Sequence, residues 1–133
     1  MTWGASRNIR TQTGSASNRE GSGISFGEVN LSKKIEAGSI SIASAFWNML
    51  SATLVTIDIC RQGSKSGDVS LMKIELKEVI ISLYEIISTG TVPIERVVLN
   101  YTQFKEIGLT APPDNTAGTN AVTGYDLKIN EPL

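Results

Sequence analysis

The sequence predicts an all-β domain carrying one short helix, and three observations point there. Its 133 residues include 12 glycines but only 4 prolines, with many Ser, Thr and Asn, a composition that favours turns between short strands. Apolar residues alternate with polar ones over several separate stretches, the period of a half-buried strand. A helical period occurs in one place only, Ser39 to Leu50.

Taken in order, the chain opens on MTWGAS. A Trp-Gly pair normally closes a strand, because the ring seeks burial and the glycine permits the turn that follows, so Trp3 marks the end of an element. From Arg7 to Gly23 (RNIRTQTGSASNREGSG) Ile9 is almost the only apolar residue, which predicts a long polar loop of the kind that carries contacts. Ile24 and Phe26 then alternate, and Val29, Leu31 and Ile35 continue on a shifted phase across Gly27-Glu28, as in a strand with a bulge. In SISIASAFWNML, Ile42, Ala45, Phe46, Met49 and Leu50 share one helical face, with Ser39 or Ser41 as N-cap. Trp47 lies off that face, either open to a partner or covered by a loop.

The period then returns to two. Val55, Ile57 and Ile59 face one way in LVTIDICRQG, Gly63 to Gly67 makes a turn, and Met72, Ile74 and Leu76 face inward in LMKIELKEVIIS, which together read as a hairpin. Val97, Leu99 and Tyr101 share a face in VPIERVVLNYTQF. A loop from Thr110 to Gly124 leads to a closing strand, YDLKIN, with Tyr125, Leu127 and Ile129 inward.

Composition also bounds function. The length suits one domain spanning residues 1–133, and 12 basic against 13 acidic side chains provide no net field for nucleic acid or anionic lipid. No apolar run reaches the length of a membrane span, and no signal peptide opens the chain. With no histidine, Ser-His-Asp and Cys-His nucleophiles and His-ligated zinc are excluded, and the lone Cys60 forms neither a disulfide nor a thiolate cage. Glu75 and Glu78 fall on opposite faces of a strand, so they read as a charge ladder rather than a catalytic pair. GSKSG and GSG lack the spacing of phosphate loops. No catalytic residue, cofactor site or metal site is expected. Two other classes fit the residues less well: a ligand-binding β-barrel around an apolar cavity, and a hydrolase using only carboxylates, for which no pair stands out.

The ordered set TWGAS, ISFGEVNLSKKI, a short helix, VTIDICRQG, KIELKEVIIS, ERVVLNYTQF and GYDLKIN resembles the haemolysin-coregulated protein (Hcp) family, the tube component of bacterial type VI secretion systems. The likeness runs from Thr2 to Asn130, with Tyr125 where the family commonly has Trp. It implies a small β-barrel of two packed antiparallel sheets flanked by one helix, six copies forming a ring, and rings stacking into a hollow tube that carries effector proteins behind a spike and inside a contracting sheath. Tail-tube proteins of contractile phages share that architecture. It also implies a location in the bacterial cytoplasm before firing and in target cells afterwards. In that family strands precede the Trp-Gly position, so the chain is expected to be short at its N-terminus, with an open sheet edge beside Trp3. By the same resemblance Thr2 matches a lumen-facing position. Arg10, Arg19 and Glu20 in the polar loop, with Trp47, are expected at the assembly interface.

Overall fold

In a computed structural model, residues 1–11, 19–62, 67–90, 92–109 and 120–133 are described, and side chains within 8–11 and 19–23 lie outside the description. The spine is β5 (Asp68–Ile87), a strand of 20 residues. Its N-terminal half pairs antiparallel with β4 (Ser51–Gln62) on one side and β7 (Gln103–Leu109) on the other, since Leu76 faces both Val55 and Phe104. Its C-terminal half pairs with β6 (Ile94–Asn100) on the β7 side. β3 (Val29–Lys34) extends the sheet from β6, while β8 (Asn120–Asp126) and then β9 (Glu131–Pro132) extend it from β7. The predicted all-β class with one helix is what forms, as one large antiparallel sheet and a second of two strands.

The β4–β5 hairpin follows the alternation that predicted it. Val55, Ile57 and Ile59 are half-buried, while Thr56, Asp58 and Cys60 are exposed. The expected turn lies at residues 63–66, outside the described residues, and ends at Gly67, whose φ of +88° a side chain would resist. Alternation alone fails further along β5. Ile74 and Leu76 are buried on even numbers, but the next buried residue is Val79. Between them Glu78 adopts φ +50°, a left-handed conformation rare outside glycine, and it resets the parity of the strand. Lys128 Nζ lies 2.6 Å from its carboxylate and Thr102 Oγ1 donates to it at 2.9 Å, so contacts remote in sequence hold the unusual backbone. Beyond this kink β5 carries Val79 and Ile81 toward the same core as Val97 and Leu99. That core comprises Val29, Ile74, Leu76, Val79, Val97, Leu99, Tyr101 and Phe104.

Several expectations are corrected. Arg7 to Gly23 is not a long loop: β1 (Ala5–Thr11) and β2 (Arg19–Phe26) pair antiparallel, leaving only residues 12–18 outside the description. The polar composition misled because most of the arm has no apolar alternation, so the mutual backbone pairing of its two strands leaves no period of two in the sequence. Ile24 to Ile35 is likewise not one bulged strand, since β2 ends at Phe26 in the small sheet and β3 begins at Val29 in the large one. The helix α1 spans Ser39–Trp47 and is capped by Gly38 rather than by Ser39 or Ser41. Ile42 packs on the core, but Met49 and Leu50 lie beyond the last turn and are largely exposed. At the C-terminus β8 stops at Asp126, and Ile129 is exposed in a turn rather than inward. Most of the expected loop from Thr110, residues 110–119, lies outside the described residues.

Candidate functional site

Trp3 follows an isolated bridge in which Thr2 exchanges both backbone hydrogen bonds with Asn30, at 2.8 and 2.9 Å. The indole therefore sits where an edge pairing ends, as its Trp-Gly sequence suggested. Its ring meets Phe104 edge-on at 4.9 Å, and its Nε1 donates to the Tyr101 hydroxyl at 2.6 Å. That hydroxyl donates in turn to the Gly27 carbonyl at 2.9 Å. Burial pushes the Tyr101 phenol above its ordinary range, with the Trp3 hydrogen bond opposing it, so the hydroxyl stays protonated and able to donate. Phe26 continues the stack against Phe104 and Tyr125. This aromatic cluster, closed by the Gly27 N–H to Gly4 C=O bond at 2.9 Å, is where the β1–β2 arm joins the large sheet.

A second cluster fixes the start of the helix. Glu95 is completely buried, and a carboxylate survives there only if paired. Lys33 forms the ion pair from the register-matched position on β3, and the Tyr84 hydroxyl donates at 3.2 Å. Burial pushes the Glu95 carboxyl up, but Lys33, Ser39 and Tyr84 outweigh it, leaving the group below the usual carboxylate range. Ser39, nearly buried at the first turn of α1, accepts from the Glu36 N–H at 3.0 Å. Sequence reasoning missed this cluster, although a signal was present: Glu95 shares parity with Val97 and Leu99, and Lys33 with Val29 and Leu31, so both charges fall on inward phases.

Between α1 and the sheet lies an open cleft of about 310 Å³. Leu31, Ile42, Val79, Val97 and Leu99 line it, with Leu50 at its rim and Lys33 as the one charged residue. The exposed side chains of Ile40, Trp47 and Met49 also belong to the helix and the turn that follows it. Trp47 is 72% exposed and rests edge-on against Phe46.

The remaining expected residues do not converge. Thr2 is exposed and is held by its bridge to Asn30. Arg10 and Glu20 are directly opposed across the β1–β2 arm with Arg19 beside them, on strands rather than on a loop, and their side chains lie outside the description. Trp47 is on the helix, a separate element. Glu75 and Glu78 take different partners, Lys105 and Lys128. Burial, followed by the carboxylate of Asp58, holds the Cys60 thiol above its ordinary range, an unactivated state. Among the described residues no three His, Cys, Asp or Glu side chains gather as a metal site, and no helix is long and apolar enough to cross a membrane. The geometry offers edges, an apolar cleft and protruding apolar side chains, which are means of binding rather than of catalysis.

The family model of the type VI secretion system effector Hcp matches residues 1–106. The chain belongs to the Hcp family. Among solved structures, a type six secretion system protein matches with a TM-score of 0.83 at 17% identity, covering 99% of this chain and 82% of that one. Hcp1 from Salmonella typhimurium matches with a TM-score of 0.73 at 14% identity, covering 99% and 80%. Hcp2 from Salmonella typhimurium gives 0.64 at 13% identity, covering 95% and 79%. At such identities the likeness is one of fold, and the Hcp fold accounts for the spine strand, the flanking helix and the antiparallel sheets. No curated protein matches the sequence.

Proposed function

We propose that this Hcp-family chain is a structural tube subunit of a type VI secretion system, forming hexameric rings that stack into a hollow tube carrying small effector proteins. The observation that supports it most is the family match across residues 1–106. Free sheet edges agree with it: β4 has a neighbour on one side only, and β3 has only Thr2 beyond β6, among the described residues. An unpaired edge is a template for another chain, and heterologous contacts close into rings. In this reading Arg10, Arg19 and Glu20 on the β1–β2 arm contribute to contacts between copies, Trp47 faces a neighbour or the sheath, and Thr2 faces the lumen. The spike, the sheath and small effectors are the other partners. The subunit resides in the bacterial cytoplasm before firing and is then delivered outward, and it performs no catalysis.

Sedimentation across a concentration series, with negative-stain imaging of the same samples, tests the reading. Rings or defined oligomers are expected, and a strict monomer at high concentration would overturn it. A phage-like tail-tube subunit would give the same rings and differ in genomic setting. The apolar cleft favours one second reading, a ligand-binding barrel, which predicts a monomer that takes up a small apolar molecule.

A further inference from the structure

A helix of nine residues is too short to hold itself in water, so α1 is helical only while it is docked. Its sequence adds no support. SISIASAFW carries no charged side chain to favour the helix ends or to pair along its surface, and its cap, Gly38, makes no side-chain bond. Undocking and melting are therefore one event for this element. Its deepest residue is Ser39, in the first turn, and what Ser39 bonds is the buried carboxylate of Glu95. Glu95 also takes Lys33 from β3 at 2.5 Å and the Tyr84 hydroxyl from β5 at 3.2 Å. The same Lys33 reaches Glu36, in the connection to α1, at 2.9 Å. The Tyr84 ring continues to Phe46, their centroids 6.3 Å apart, so one residue touches both this anchor and the last turn of the helix.

We propose that Glu95 is a latch for α1: with its carboxylate charged the helix stays docked, and with that charge removed the whole helix opens as one unit while the sheet remains folded. The groups facing Glu95 set the trigger. β3 presents Lys33, β5 presents the Tyr84 phenol, the connection presents Glu36 through Lys33, and α1 itself presents only the neutral Ser39. Lys33 is thus the one cation among the described residues whose attraction offsets the burial of this carboxylate, and a proton on Glu95 cancels that attraction. These partners hold the carboxyl below the usual carboxylate range, so the latch is closed at neutral pH and opens in acid. Tyr84 carries the loss from the first turn to the last, through its hydroxyl on Glu95 and its ring beside Phe46. The sheet keeps its own backbone ladders, β3 on β6 and β6 on β5, which do not pass through the helix. The latch acts within one chain, whether or not rings form.

Native-state amide hydrogen exchange on the full chain, at neutral pH and low urea, tests this. In the wild type the amides from Ile42 to Leu50 should exchange through one shared opening, faster by about tenfold or more than the Ile74, Leu76 and Phe104 amides of the sheet. Glu95→Gln keeps the shape of the side chain and removes its charge, as a proton does. It should speed the shared opening by about tenfold or more, at Asn48 and Leu50 as much as at Ile42. If Glu95→Gln does not fold, Tyr84→Phe serves, which deletes one hydroxyl and should speed the same amides together by roughly two- to tenfold. Glu85→Gln, which breaks the exposed pair with Arg96, should leave them unchanged. The proposal is overturned if the α1 amides of the wild type exchange no faster than those of the sheet, since the helix then opens only with the whole domain. It is overturned equally by acceleration confined to the first turn, which would make Glu95 a local cap, or by unchanged exchange in both variants.

Discussion

Replacing Tyr101 with Phe tests whether one hydroxyl ties Trp3 to the large sheet. The Tyr101 oxygen accepts from Trp3 Nε1 at 2.6 Å and donates to Gly27 C=O at 2.9 Å, and its residue is 95% buried, so the hydroxyl serves two partners at once. Gly27 is exposed, and water can replace the lost donor there at little cost. The Trp3 indole is half-buried against Phe104, so its N–H becomes an orphan, at about 1–2 kcal/mol. Urea unfolding should therefore show Tyr101→Phe lowering the unfolding free energy by that amount, through a lower midpoint at an unchanged slope. Trp3→Phe removes the donor itself, so the double variant should be less destabilised than the sum of the singles by about 0.5–1.5 kcal/mol. Additivity within about 0.3 kcal/mol would refute the coupling and reduce Trp3 to a packing residue.

Gly124 has a sharper requirement. A Cβ there would lie 2.5 Å from the Phe104 carbonyl and 2.8 Å from a Leu133 methyl, so Gly124→Ala should push β7 and β8 apart and cost about 1–3 kcal/mol in thermal or urea unfolding. On the helix, Ile42→Ala should cost about 2 kcal/mol or more because Ile42 packs on the core, and Phe46→Ala should cost less because Phe46 rests on Trp47 and Tyr84 outside it. Trp47→Ala should leave the melting temperature nearly unchanged, and a large drop would mean that the ring is structural. The acid response follows from Glu95. Its folded-state carboxyl lies below its unfolded value, so the stability it contributes is complete above the ordinary carboxylate range and is lost as pH falls through it. Melting curves from neutral to about pH 3, below the ordinary carboxylate range, should fall more steeply for the wild type than for Glu95→Gln, and equal slopes would contradict the assignment. Glu78, held low first by Lys128 and then by Thr102, shifts the same way but is exposed and contributes less.

The inward residues of β4, the first half of β5 and β6 were legible because each strand has one buried face, and burial writes itself into sequence as a period of two. The same rule marked Glu95 and Lys33 as inward charges, and the helical period placed Ile42 on the core. What the sequence determined by itself was thus the local parity of segments that bury a face. Tertiary structure decided the rest. The β1–β2 arm has no apolar alternation along most of its length, so only its mutual backbone pairing reveals it. The division of Ile24–Lys34 between two sheets depends on partners, Ala5–Arg7 for one and β6 for the other, far away along the chain. The parity switch in β5 depends on Glu78 being held at φ +50° by Thr102 and Lys128, 24 and 50 residues away. Period and propensity are properties of neighbours in sequence. The cleft between α1 and the sheet arises from which elements pack together, and that is settled only when the sheet forms.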